Sequence, residues 1–265
     1  MAGLHETYRW LDDDGAAFGA PGLEPRWTSS KKDAVLTAYA ASSRIWATLS
    51  HGTLNEIYFP TIDRPQIRDM ELLFTDGETF CHEEKRDFEY DFRYIDDESL
   101  AVRVTANDLG GRYTVTKEFI TDPHHPVVLM NVKIEGDEEI LSRLKCYALL
   151  APHLDGGGAG NSARAIEVAG QRCVLAWKND YHLCFGASCG FSRTSCGFAG
   201  SSDGYQDLAD APADDLELRP GPRRQHRRHG RDRCGQVPGV HDRYCSGGRP
   251  TLGGCRVDAD LVDAV

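Results

Sequence analysis

"FEYDFRYI", residues 88–95, is the stretch on which the fold turns. Phe88, Tyr90, Phe92 and Tyr94 alternate with Glu89, Asp91 and Arg93. A period of two sends the rings to one face and the charges to the other, the pattern of a half-buried antiparallel strand. Working outward, "LAVRVTA" (100–106) and "RYTVTKEFI" (112–120) flank "NDLGG", whose Asn107, Asp108 and glycines supply a hairpin loop. Further strand-like runs stand at "VVLMNVKI" (127–134), "RLKCYALLA" (143–151), "RCVLAW" (172–177) and "YHLCFGA" (181–187). Nothing from 44 to 200 sustains a helical period over a long segment. The class is therefore all-β, and many successive antiparallel strands favour two packed sheets. Residues 1–40, with "GAAFGAPGLEPRW", read as an irregular lead-in lying along the body of a sandwich domain at 41–210.

The totals narrow the function classes. At 265 residues the chain can bury a substantial core. A net charge of -11 argues against nucleic acid or an anionic membrane as partner, because polyanions are met by basic surfaces. No apolar run approaches the roughly 20 residues of a membrane span. The start, "MAGLHETYRWLDDDG", lacks the basic and apolar regions of a secretory signal, so a cytoplasmic location is expected. Cys81, Cys146, Cys173, Cys184, Cys189 and Cys196 form no tight C-x-x-C pair, and buried free thiols are expected. No cofactor motif or metal-ligand set is in view.

From Ala211 the composition changes. Segment 211–265 contains no Lys, Asn, Ile, Phe, Trp or Met, and an arginine cluster stands at Arg223, Arg224, Arg227 and Arg228. One reading is a basic tail for nucleic acid. The stronger one is a slipped reading frame near residue 209. In that segment, 49 of 55 residues are of types whose codons can begin with G or C, as former wobble bases of a GC-rich gene would. A disordered tail with no selected chemistry is expected, leaving the sandwich incomplete at its C-terminus.

The candidate functional stretch is "SHGTLNEIYFPTIDRPQIRDMELLFTDG", 50–77. Tyr58 and Phe59 stand among Glu56, Asp63, Arg68 and Asp69, and two prolines forbid a helix through the middle. Inverting glycoside hydrolysis needs two carboxyls ~6.5–9.5 Å apart on opposite faces of the sugar, which proximity along a loop does not establish. Ring stacking on sugars, a charged clamp on a neighbouring domain and a plain surface loop remain alternatives. The expectation is a loop over 55–69 that projects from the sandwich with Tyr58 and Phe59 exposed. "SSDGYQDL" (201–208) adds Asp203, Tyr205 and Asp207 in a turn. "HLDGGGAGN" (153–161) lacks the Lys-Ser/Thr helix of a phosphate cradle, and His124 with His125 reads as a turn between prolines. His51 with Glu56, or His153 with Glu167, could serve a mutarotase-like acid–base reaction, and no signature selects either pair.

"EPRWTSSKKDAV", "SSRIWATLSHGTLNEIYFPTIDRPQIRD", "EEKRD", "YALLAPHL", "GAGN" and "GFAGSSDGYQDL" together resemble the N-terminal domain of bacterial glucoamylase- and glucodextranase-type enzymes, glycoside hydrolase family fifteen. The resemblance runs in unbroken order over roughly 17–210. It implies a large antiparallel supersandwich of galactose mutarotase-like fold, packed in the full enzyme on an (α/α)6 barrel whose two glutamates act as acid and base. No barrel follows within this sequence. The implied chain is a non-catalytic domain with no catalytic residues, no metal and no cofactor. Its implied partners are the barrel in cis and an α-glucan, with neither nucleic acid nor membrane. Glu56, Tyr58, Phe59, Asp63, Arg68, Asp69, Asp203 and Tyr205 are its expected carbohydrate or interdomain contacts. The rival reading is a stand-alone carbohydrate-binding or mutarotase-like protein.

Overall fold

The aromatic alternation at 88–94 forms the edge of a wide antiparallel sheet: Phe88 is buried, Tyr90 and Phe92 pack on the core, and Glu89, Asp91 and Arg93 face water. The computed structural model describes residues 8–11, 17, 19–28, 31–38 and 40–205, and the backbone of 239–242 and 255–260. In chain order the strands are β1 (Tyr8–Trp10), β2 (Ala34–Thr37), β3 (Trp46–Ser50), β4 (Thr53–Tyr58), β5 (Ile67–Thr75), β6 (Cys81–Glu83), β7 (Phe88–Tyr94), β8 (Val102–Asp108), β9 (Tyr113–Thr121), β10 (Val127–Gly136), β11 (Lys145–Pro152), β12 (Ser162–Val168), β13 (Gln171–Lys178), β14 (Tyr181–Ala187), β15 (Arg193–Thr194), β16 (Gly239–Asp242) and β17 (Cys255–Asp260). Two short helices, α1 (Glu84–Asp87) and α2 (Glu138–Arg143), interrupt them.

One sheet has nine strands in the order β1-β12-β13-β14-β17-β10-β9-β8-β7. The other has eight, in the order β15-β16-β11-β5-β4-β3-β2, with β6 added on β5. Every pairing is antiparallel. Alternate residues of both sheets meet in one core, with Leu49, Leu54, Ile57, Met70, Leu72 and Phe74 on one side and Val104, Val115, Phe119, Met130, Val174 and Phe185 on the other. The hairpin at "NDLGG" forms as expected: Gly111 takes φ 67° and Asp108 Oδ1 accepts the Arg112 N–H at 2.6 Å.

One inward position of β9 carries a charge. Lys117 is 1 % exposed, between Val115 and Phe119. Its ammonium donates to Glu84 Oε1 and, at 2.6 Å, to the Gly52 carbonyl in the β3–β4 turn. Glu84 Oε2 accepts the Leu72 N–H at 2.7 Å. That N–H needs a side-chain partner because β5 changes neighbours there. Met70 pairs with Leu54 on β4, and pairing resumes on β6 with Leu73 opposite Glu83. An unpaired buried N–H or ammonium is costly, so each group here depends on the others.

Two expectations are corrected. Residues 55–69 are not a projecting loop. Asn55–Tyr58 complete β4, Ile67 opens β5, and of the link between them Phe59 and Gln66 are buried while Thr61 to Arg64 form an exposed tip. Phe59 joins the core because its carbonyl accepts Gln66 Nε2 at 2.6 Å and its N–H donates to the Arg64 carbonyl at 3.0 Å. The cysteines are not uniformly buried thiols: Cys173 alone among the described ones is buried, Cys81 is exposed, and Cys189 is in a disulfide. Cys81 is exposed because it opens the short added strand β6. Strands β1 to β4 and β12 carried too little alternation to be read. For 211–265, only the backbone of β16 and β17 lies within the described residues; the remainder of the expected tail lies outside them. No helix among the described residues is long and apolar enough to cross a membrane.

Glu84→Gln leaves the Lys117 ammonium without its counter-charge and should cost about 3–5 kcal/mol in urea unfolding. Lys117→Met alone should cost a similar amount, and the double variant should cost clearly less than the sum of the two. Simple additivity would contradict the coupling described here.

Candidate functional site

The outer face of the eight-stranded sheet, over β4, β5 and β11, gathers most of the residues singled out from the sequence. Met70, Leu72 and Phe74 of β5 point into the core, so Asp69, Glu71 and Leu73 point out. Outward does not mean exposed, because α1 lies over them. Asp69 is 3 % and Glu71 5 % exposed. Lys85 of α1 reaches both, 2.6 Å from Asp69 Oδ2 and 3.4 Å from Glu71 Oε2, while Arg68 Nε donates to Asp69 Oδ1 at 3.0 Å. Burial, reinforced by Asp69, Glu83 and Glu84, lifts the Glu71 carboxyl to about 7 against the opposing pull of Lys85. Burial pulls the Lys85 ammonium down, but Asp69 and Glu71 outweigh it and its affinity for the proton rises.

Tyr205 and Glu56 extend this network in opposite directions. The Tyr205 hydroxyl accepts from Arg86 at 3.0 Å and donates to Glu83 Oε2 at 3.3 Å, and Arg86 pairs with Glu83 at 3.1 Å. The Tyr205 ring packs with Leu149 on Leu73 and Tyr147, giving the charged network an apolar centre. On β4, Glu56 accepts the Tyr58 hydroxyl at 2.5 Å and pairs with Lys32 at 2.8 Å. Burial, then the Glu56 carboxylate, holds the Tyr58 phenol well above its usual range.

Other expected site residues serve the fold. Asp63 is exposed and accepts the Thr61 hydroxyl at 2.5 Å, which holds its carboxyl below the usual range. Asp203 is buried and accepts the Gly200 N–H within its own turn. Asp207 lies outside the described residues. The carboxylates of the nominated acid–base pairs have other partners: Glu56 is held by Tyr58 and Lys32, and Glu167 by Arg9, while the backbone N–H of His51 donates to Asp33. His153 is buried edge-on to Trp27 at 4.6 Å, and burial, then Arg68, lowers it to about 4. The glycine-rich stretch is a sharp loop in which Asn161 Oδ1 accepts the Leu154 N–H at 3.0 Å. At His124 and His125 both backbone N–H groups go to Asp122. Among the described residues no group of three or more His, Cys, Asp or Glu could hold a metal ion.

Lys85, Glu83, Arg86 and Tyr147 were not singled out as site residues. The signal lay in "EEKRD": a charged pentad directly before the aromatic strand places its long side chains over whatever strand it crosses.

Comparisons with known proteins agree with this architecture. A family described as glucodextranase, domain N, matches residues 17–217. The chain belongs to this family. It is 30% identical over 176 residues to a glucoamylase of Clostridium sp. (strain G0005), an alignment covering 66% of this chain and 25% of that protein. Its fold is similar to a bacterial glucoamylase crystallised in complex with acarbose, with a TM-score of 0.83 at 23% identity, over 97% of this chain and 36% of that one. This glucodextranase N-domain chain thus spans about a quarter of the curated relative that it matches.

The raised Glu71 carboxyl sets a pH dependence. Its folded-state value, about 7, lies above the 4.5 of an ordinary glutamate. The folded protein therefore binds more protons than the unfolded chain between these values, and the contribution of Glu71 to stability falls as pH rises through that window. Glu71→Gln should flatten this decline, so that the variant gains melting temperature relative to wild type between pH 5 and pH 8 in paired thermal scans. A gap between the two proteins that does not change with pH would refute the assignment.

Proposed function

We propose that this chain is a non-catalytic N-terminal β-sandwich domain of an α-glucan exo-hydrolase of glucoamylase or glucodextranase type. In this reading the outer face of its eight-stranded sheet docks on an (α/α)6 catalytic barrel. The observation that carries the proposal is the make-up of that face. Leu149 and Tyr205, half-buried over the fully buried Leu73 and Tyr147, form an apolar centre, rimmed by Arg68, Lys85, Glu83 and Arg86. An aromatic and aliphatic centre inside a polar rim with arginines is the composition of a protein interface. The family match and the small share of the glucoamylase covered by this chain support a role beside a larger catalytic body.

Catalysis by this face is disfavoured by its chemistry. Asp69 and Glu71 stand on the same side of one strand and share the Lys85 ammonium, whereas inversion requires opposed carboxyls with a water between one of them and the sugar. Phe59 offers no ring face to a sugar because it is buried in the core.

Arg86→Ala and Tyr205→Ala should each weaken association with the part of the Clostridium glucoamylase outside the matched quarter, measured by titration calorimetry. Each loss should be about 1–2 kcal/mol, with little change in the melting temperature of this chain. The isolated chain should release no glucose from maltooligosaccharides or dextran. Release abolished by Glu71→Gln would move catalysis into this domain and refute the proposal.

A further inference from the structure

A second surface, on the nine-stranded sheet, is built from aromatic rings that the core does not use. Trp10 pairs with Ile166, Ile166 with Cys173, Arg164 with Leu175, and Ser162 with Trp177, and directly opposed residues of an antiparallel ladder share a face. Val174 and Ala176 occupy the alternate positions and belong to the core, so Tyr8, Trp10, Arg164 and Trp177 lie on the other side of the sheet, together with Ile166 and Cys173, which are buried there. The Tyr8 and Trp10 centroids are 5.5 Å apart and those of Trp10 and Trp177 5.9 Å, while the Arg164 guanidinium lies 5.0 Å from the Trp10 ring. Tyr8 remains 48% and Trp10 42% exposed. His182, opposite Trp177 in register, has a buried Nδ1 with no hydrogen-bond partner among the described residues.

We propose that Tyr8, Trp10 and Trp177 form a platform for internal sugar units of an α-glucan chain. Three features select this occupant. Rings packed edge to face beside an arginine, with an imidazole opposite in register, match a ligand whose rings carry C–H groups on their faces and hydroxyls at their edges. A negatively charged chain disfavours a polyanion and accepts a neutral polymer. Three rings are far short of the ~800 Å² per partner of a stable protein interface, yet suffice for a few sugar units. The rings lie along a strand face, so they fit the middle of a chain and not its end. The choice of α-glucan over other neutral polysaccharides rests on the proposed function above.

Affinity electrophoresis of the whole chain through gels containing soluble starch or dextran tests the platform. Wild type should be retarded by at least one of the two. Trp10→Ala and Trp177→Phe should each weaken retardation about fivefold or more, with unchanged circular dichroism. Arg86→Ala should be retarded like wild type. No retardation of wild type, retardation insensitive to both tryptophan variants, or retardation by β-linked glucans alone would overturn the platform. Calorimetric docking of the same variants separates it from the proposed function. Trp10→Ala should dock normally, and its loss of docking would make this face the domain interface and overturn the sugar assignment. Failure of docking in wild type with retardation intact would leave the platform standing alone.

Discussion

The ion pair between Lys117 and Glu84 is the point at which the two sheets are tied to one another by something more specific than apolar contact. Hydrophobic burial is non-directional and would tolerate sliding of one sheet over the other. The Lys117 ammonium allows little of that, because it sits on the nine-stranded sheet and is satisfied by a turn and a helix belonging to the other. Glu84 in turn completes the hydrogen bonding of β5 where that strand passes from β4 to β6. Burying two charges costs several kcal/mol per ion before their attraction is counted, so the pair is better read as a device for register than as a source of net stability.

The same geometry places the candidate interface. Because Glu84 is anchored inward, the other residues of α1 must turn outward, and Lys85 is thereby laid across Asp69 and Glu71 while Arg86 meets Tyr205. A charged helix of four residues has little helical stability of its own. It is held by what its side chains do on both sides, and it joins core registration to surface chemistry within one turn.

Most strands from 88 to 187, β12 excepted, were legible because an edge or half-buried strand must alternate, and the alternation at Phe88, Tyr90 and Phe92 is strong. The burial of β5 was not. Asp69 and Glu71 carry charge at positions that are nonetheless buried, and no residue pattern announces that a helix from further along the chain will cover them. Phe59 was misplaced for a related reason. Its neighbours Pro60 and Pro65 speak for a loop, but the Gln66 side chain, hydrogen-bonded to the Phe59 carbonyl and to the Asp155 N–H, folds that loop back onto the body. Tyr205 and Arg68 were both named among the expected contacts. The contacts that unite them were visible only once α1 was in place.

Strand β17 lies between β14 and β10, joining Phe185 to Ala259 on one side and Val128 to Ala259 on the other. Without it the nine-stranded sheet falls into two four-stranded ribbons, each with a bare edge of unpaired N–H and C=O groups. The last described strand in sequence is thus a middle strand in space, which makes this sheet a structure of very long sequence separations. During synthesis the two ribbons can form early, but they must wait, with open edges, for a segment nearly seventy residues past β14. Such a fold should close slowly and late, and the interval before closure is when a neighbouring chain could occupy the vacant place.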